Sequence, residues 1–462
     1  MSSLAGKKVH FIGIGGSGMS GLARIALSDG AVVSGSDAKD SSVLTALKAL
    51  GALVFTSHEA ANVDGVDMVI YSNAISRSNP EYLRAQELSI PLLTRAKALA
   101  TLMSSNTAIA VAGTHGKTTT SSMATVAFQS CGVDPSFAIG GTLTASGSNA
   151  HRGTGKFFIA EADESDGSFI EYHPHAAIVT NVEHDHVDFF ASVEEVTAAF
   201  DSFVSTISAD GFLIYCNDDE GSRALGVRTK SCNPISYGTT EGSDLLIDQI
   251  ELLPQGSRAR ALYKGSVVGT VELHVPGHHN LLNAAGVLAL GLAYQLPAVD
   301  LLTGLASFRG AGRRFELKAT VSGIRIIDDY GHHPTEIKVT LDAARRYVDG
   351  GRLLVIFQPH RYSRTQAFLS DFASTLDLAD DVTLLEIYAA SEKPIPGVSS
   401  SAIADLMKNG HFIPNFVDAA DHLIEIARPG DVILTLGAGD VNSLAPIIAE
   451  GLVKRFENSQ QA

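Results

Sequence analysis

Gly113-Thr114-His115-Gly116-Lys117-Thr118-Thr119-Thr120 is the segment whose chemistry reads most directly. It follows an apolar run at 109–112 and opens a helical pattern that continues through Phe128. A glycine-rich strand-to-helix junction turns backbone N–H groups toward a phosphate. The lysine adds positive charge, and the neighbouring threonine hydroxyl can ligate magnesium. The loop departs from the common spacing, because Val111 stands where a first glycine is expected.

Two further clusters follow strand-like runs. Glu161, Asp163, Glu164 and Asp166 put four carboxylates into six residues, whose mutual repulsion calls for a cation. Beside a phosphate loop, magnesium is the simplest choice. Glu183, His184, Asp185, His186 and Asp188 come next. Histidine content could suggest zinc, but no cysteine lies close by and oxygen ligands dominate, so His186 is read as a magnesium ligand.

Gly13-Ile14-Gly15-Gly16-Ser17-Gly18 also joins an apolar run to a helical pattern, and Ser36-Asp37 ends the next strand-like run. Such a turn holds a diphosphate at a helix N-terminus, with the acid placed for a ribose hydroxyl. Taken alone it suggests NAD or FAD and does not identify the nucleotide. Downstream, Asn280 and Asn283 offer amides to a base, and Arg313 and Arg314 offer guanidinium groups to a phosphate. Asp328-Asp329-Tyr330-Gly331-His332-His333-Pro334-Thr335-Glu336 and Gln358-Pro359-His360-Arg361-Tyr362-Ser363-Arg364 each follow a strand-like run.

The elements that must position these groups alternate strand-like and helical patterns from end to end. The expected class is α/β with mostly parallel sheets, which place sites at the carboxyl ends of strands. The stretch 236–275 alternates short apolar and polar pieces and suggests antiparallel hairpins. At 462 residues about three domains are expected. We divide the chain into 1–97, 98–311 and 312–462. Acidic residues outnumber basic ones 50 to 34, a net charge of −16 that disfavours nucleic acid. Three cysteines in no metal spacing fit a reducing cytosol. The beginning has no signal-peptide profile, and the apolar stretch 281–296 is too short and too polar for a membrane span. A cytoplasmic location is expected.

Taken in order, the motifs Gly-Ile-Gly-Gly-Ser-Gly-Met19, Gly-Thr-His-Gly-Lys-Thr-Thr, Glu-Ala-Asp-Glu-Ser-Asp, Asp-Asp-Tyr-Gly-His-His-Pro-Thr-Glu and Gln-Pro-His-Arg-Tyr-Ser-Arg resemble those of the muramyl ligases, from about Lys8 to Leu444. The resemblance implies a Rossmann-like N-terminal domain, a central P-loop ATPase-type domain and a C-terminal Rossmann-like domain. It also implies ATP-dependent joining of L-alanine to the carboxylate of UDP-N-acetylmuramate, for peptidoglycan synthesis, by a monomer or homodimer. Carried onto this chain, Gly15, Gly16, Ser17, Gly18, Asp37, Ser72 and Asn73 would hold the UDP-sugar. Gly113, Thr114, His115, Gly116, Lys117, Thr118, Thr119, Asn283, Arg314 and Asp329 would hold ATP, with Asp329 on its ribose. Thr118, Glu161 and His186 would hold Mg2+, and His360, Arg361 and Arg364 would meet substrate. Lys117, His186 and His332 are the expected catalytic residues, and His186, His332 and Asp185 are equal candidates for the base that takes the amine proton. No lysine occurs from Phe157 through Thr229, so the carbamylated lysine of some relatives has no counterpart here. A nicotinamide-dependent dehydrogenase would use the first glycine turn but leave the Lys117 loop idle. A non-catalytic nucleotide-binding regulator would bind ATP without releasing phosphate.

Overall fold

The computed structural model describes residues 4–461 apart from Asn73, Asp188 and Asp349. Three sheets organise the described residues. The first is parallel, with β1 (Lys8–Ile12), β2 (Val32–Ser36), β3 (Leu53–Phe55), β4 (Met68–Tyr71) and β5 (Leu92–Thr94) in the order β3-β2-β1-β4-β5. Its strand order reverses between β1 and β4, so a crevice opens at the carboxyl end of β1, where the glycine turn begins.

The second sheet has ten strands: β6 (Thr107–Ala112), β7 (Ser136–Ala138), β8 (Ala150–His151), β9 (Phe157–Glu161), β10 (Ala176–Val179), β11 (Phe212–Cys216), β12 (Asn233–Gly238), β13 (Leu245–Leu253), β14 (Gly256–Tyr263) and β15 (Ser266–Leu273). The neighbours β10, β6 and β9 run parallel, with Val179 beside Ala112 and Glu161 beside Val111. Their carboxyl ends therefore emerge together, and they carry the phosphate loop, the acidic cluster and the Asn181–His186 segment. β6 and β10 are buried almost throughout, as strands covered on both faces should be. By contrast, β13 to β15 form the expected antiparallel hairpins. The apolar stretch near 281–296 belongs to the helix His278–Ala293, whose Leu281, Val287, Leu288 and Leu290 are fully buried.

The third sheet, β16 (Glu316–Val321), β17 (Ile324–Asp329), β18 (Leu353–Phe357), β19 (Asp381–Leu384), β20 (Gly410–Phe412) and β21 (Val432–Leu436), has the order β16-β17-β21-β18-β19-β20. It is parallel except for β16. Asp329, Leu436 and Phe357 align at the carboxyl ends of its three central strands. Among the described residues no helix is long and apolar enough to cross a membrane, and the three cysteines are unpaired.

Candidate active site

β6 runs straight into the phosphate loop. At Gly113 φ is +131°, and a Cβ there would lie 2.1 Å from Thr180 Oγ1, so only glycine lets the end of β10 come this close. Gly116, at φ +83°, caps the helix Lys117–Ser130, whose first-turn N–H groups lack intrahelical partners. Lys117 Nζ donates to the carbonyls of Gly113 (2.8 Å) and Thr114 (3.1 Å) and to both carboxylate oxygens of Glu164 (3.0 and 2.8 Å). Burial opposes the charge on this ammonium, but Glu164 and Asp163 outweigh burial and hold its pKa well above the ordinary value. His115 sits between Glu183 (3.6 Å) and Glu336 (3.3 Å). Burial pulls its pKa down, the two carboxylates more than offset that, and it stands at about 9.

The acidic cluster forms the facing wall. Glu161 Oε2 accepts the Gly140 N–H at 2.8 Å, which orients it beside the Gly140-Gly141 turn after β7. His186 adopts φ +52°, uncommon for a residue with a Cβ, and its Nε2 lies 3.3 Å from Glu164 Oε1. Ligand atoms of Asp163, Glu164 and His186 fall within 4.8 Å of one another. For Asp163, burial favours the neutral acid, yet Lys117 and His186 keep its pKa below the ordinary value. Carboxylate oxygens with one imidazole form a donor set that fits a hard divalent cation.

The C-terminal sheet closes the opposite side. Arg364 reaches Asp185 Oδ1 at 2.9 Å through one terminal nitrogen, and both side chains are 4% exposed. Against the cost of burial, Arg364 and His186 hold the Asp185 carboxyl far below the usual range. Thr335 donates to Glu183 at 3.0 Å. Arg313 and Arg314 both lie over the ring of Tyr330, at 4.9 and 5.1 Å. Burial lowers the His332 pKa to about 3 and the His360 pKa to about 4, with Arg364 adding to both, so both imidazoles are neutral at pH 7. His360 stacks on Tyr388. The Arg361 N–H donates to the Tyr388 carbonyl.

These walls enclose a cleft of about 610 Å³, lined by Ser17, Thr114, His115, Gly116, Lys117, Thr118, Glu161, His186, Arg314, His332, His360, Arg361 and Arg364 among others. Lys117 and Glu161 thus face one space. A side chamber of about 270 Å³ shares His115, Gly116 and Arg314 with it and adds Thr119, Asn283 and Asp329. A third space of about 320 Å³ is lined by Gly16, Ser17, Gly18, Ser72, Arg95 and Glu161. Gly113 supports the loop from behind, its carbonyl taken by Lys117. Gly15 and Asp37 bind each other, N–H to carboxylate at 2.9 Å, and line none of the three spaces. Asn73 lies outside the described residues.

Asp329 already accepts from the N–H groups of Phe315 and Gly331 and from the Thr340 hydroxyl, at 2.8, 2.8 and 3.1 Å. Two residues, Arg95 and Gly140, escaped the sequence reading, and a third, Glu164, was read without its role. Arg95 opens the helix Arg95–Met103 and lies 3.1 Å from where a Gly18 Cβ would be, facing the third space. Nothing local distinguishes it from a surface arginine. Glu164 was legible only as one of four acids, not as the partner of Lys117. Gly140, after the short β7, carried the same signal as the other strand ends: an apolar run stopping at paired glycines.

Comparison with known proteins agrees with this geometry. The model for the Mur ligase family, catalytic domain, matches residues 8–107, the Mur ligase middle domain 111–291, and the Mur ligase, glutamate ligase domain 313–439. A UDP-N-acetylmuramate–L-alanine ligase of Acidothermus cellulolyticus is 47% identical over 457 residues, 97% of this chain and 96% of the relative. One from Mycobacterium tuberculosis is 46% identical over 475 residues, 98% and 96% of the two chains. The crystal structure of a UDP-N-acetylmuramate-alanine ligase from Thermotoga maritima superposes with a TM-score of 0.81 at 29% identity, covering 98% of this chain and 100% of that one. A murein peptide ligase from Psychrobacter arcticus shares the fold, at 24% identity and a TM-score of 0.71, over 97% and 99% of the two chains. With the phosphate loop, the acidic wall and the arginine-bearing third sheet meeting at one cleft, and with three successive domain models spanning the chain, this protein belongs to the Mur ligase family.

Proposed function

We propose that this chain uses ATP to join L-alanine to the carboxylate of UDP-N-acetylmuramate, releasing ADP and phosphate, in peptidoglycan precursor synthesis. The observation that carries the reading is the convergence of Lys117, Glu161 and His186 with Arg314, His332 and Arg361 on one cleft. The side chamber beyond Gly116 suits the nucleoside of ATP, with Asn283 and Arg314 on it and Asp329 shaping its wall. The chamber behind Ser17, with Gly16, Gly18, Ser72 and Arg95, suits the UDP-sugar. Asp37 acts there by fixing the Gly15 turn, and Asn73 belongs to the same proposed set. Our division at 1–97, 98–311 and 312–462 gives each chamber a lining from two of the three parts.

A carboxylate is a poor acyl donor, so the γ-phosphoryl passes first to the muramoyl carboxylate, giving an acyl phosphate. The alanine amine then attacks its carbonyl and phosphate leaves. Lys117 offsets charge spreading over the transferred phosphoryl, and the N–H groups after Gly116 orient it. Thr118, Glu161 and His186, joined by Asp163 and Glu164, would hold Mg2+, which would neutralise phosphate charge when bound. His360, Arg361 and Arg364 border the acceptor side, with Arg364 acting through Asp185. Of the three contenders for the base, Asp185 is the weakest, because its pairing to Arg364 leaves it little proton affinity. His332 is neutral at pH 7, but burial makes it a feeble base. His186 can take the proton only when its imidazole is not engaged by Mg2+, because a metal-bound imidazole keeps no free lone pair.

The test is phosphate release from ATP with UDP-N-acetylmuramate across a panel of amino acids and the cell-wall tripeptide. Release is expected to be fastest with L-alanine. Release with the tripeptide and not with alanine would move the chain to the recycling branch.

A further inference from the structure

At the amino end of the third sheet, opposite the cleft, three side chains meet that the ligase reaction does not use. Asp381 opens β19, His411 is the middle residue of the edge strand β20, and His422 lies in the helix Phe416–Ile426. Thr383 pairs with His411, so Asp381, two residues earlier on β19, projects to the same face as His411. The helix supplies His422 to that face. Asp381 Oδ2 is 3.2 Å from His411 Nε2, and Asp381 Oδ1 is 3.7 Å from His422 Nε2. One ligand atom from each of the three falls within 4.8 Å of the others.

We propose that Asp381, His411 and His422 form a binding site for a divalent transition metal, zinc by ligand type, that ties the edge strand and the helix to β19. Tetrahedral zinc with bonds of about 2.0–2.1 Å sets neighbouring ligand atoms roughly 3.4 Å apart, and the approaches of the two imidazoles to the Asp381 carboxylate, one to each oxygen, lie close to that value. Two imidazoles with one carboxylate favour zinc over the oxygen-seeking magnesium and calcium, and leave a fourth position for water. A second observation is independent of the spacing. Asp381 Oδ1 and His422 Nε2 are shut off from solvent, and neither has a hydrogen-bond partner among the described residues. A buried polar atom without a partner is costly, and a shared cation satisfies both atoms at once. His411, about half exposed, gives the ion a route in.

The experiment titrates the untagged full-length chain with zinc chloride, counting bound zinc after equilibrium dialysis and following the unfolding midpoint. The parent is compared with His422→Gln, Asp381→Asn and His411→Gln, the last on an accessible strand edge where loss of folding is least expected. The cleft also holds imidazole beside carboxylate, so the count is taken by difference. Each folded variant is expected to bind one zinc fewer per chain, or that zinc at least tenfold more weakly. Zinc is expected to raise the unfolding midpoint of the parent by more than that of any folded variant, while Mg–ATP-dependent phosphate release stays at the parent level in all of them. A folded variant that retains the parent's zinc count and affinity overturns the proposal.

Discussion

Replacing Lys117 with methionine should do two separable things. The ammonium makes four polar contacts, two of them to Glu164, whose side chain is 2% exposed. Removing a preorganised charge from the transferred phosphoryl is expected to slow turnover about 10³-fold, or about 4 kcal/mol of barrier. The sequence alone suggests that the fold would be untouched by losing this lysine. The structure says otherwise, because Glu164 would be left buried beside Asp163 without its cation. Removing one partner of a buried pair costs about 3–5 kcal/mol, less whatever the carboxylate recovers by taking up a proton. Lys117→Met should therefore lower the unfolding midpoint as well as the rate. Adding Glu164→Gln removes the stranded charge, so the double variant should regain most of the stability and none of the activity. The assays are thermal unfolding and phosphate release at saturating ATP. Phosphate release within tenfold of the parent in Lys117→Met, or a double variant no more stable than the single one, would refute the reasoning.

Three further outcomes follow from the same cleft. Arg364→Ala strands Asp185 and should cost about 3–5 kcal/mol in denaturant unfolding. Because the Asp185 pKa is depressed in the folded chain, the pair stabilises above the ordinary aspartate pKa of about 3.9 and fades as pH falls, so the variant should be the less acid-sensitive of the two. His115 behaves oppositely. Raised to about 9, its contribution is complete below about 6.5 and lost as pH climbs through 9, so His115→Gln should flatten stability between those values by up to about 3 kcal/mol, read as unfolding midpoints across a pH series. Glu161→Gln should raise the Mg2+ concentration for half-maximal turnover by roughly 10-fold or more, with the unfolding midpoint nearly unchanged.

The parts of the fold legible in the sequence were those with a local cause. β4 and β18 are unbroken apolar runs that stop at polar residues, and β21, apolar but for Thr435, stops at a glycine. The phosphate loop, the acidic cluster and the downstream arginines were visible because parallel sheets put sites at strand ends, and glycine or charge clusters mark those ends. Pairing was not visible. Asp185 and Arg364 are 179 positions apart, and nothing near either one shows that they bury each other. Asp329 was legible as an acid at a strand end, but not as one whose oxygens are already engaged by Phe315, Gly331 and Thr340. Arg95 carries no motif; only the approach of the helix it opens to the first glycine turn gives it a place.

Those unseen pairings bear on how the enzyme works. Glu164 holds Lys117, Asp185 holds Arg364, and Glu183 and Glu336 hold His115 and Thr335 between the central and last sheets. Every one of these acids occupies a donor that an anionic substrate would want. A phosphate arriving at Lys117 does not find a bare cation. It displaces a carboxylate, so the net gain is the difference between two anions and not the full attraction of one. The exchange favours ATP only if Glu164 gains a new cationic partner at the same moment, and Asp163, Glu164 and His186 already stand within one coordination shell of each other. Binding of triphosphate and of Mg2+ should then be mutually dependent, each relieving the charge that the other exposes. Measured separately by calorimetry, either one alone should bind at least tenfold more weakly than in the presence of the other. In Glu164→Gln, where the displaced group carries no charge, that coupling should shrink.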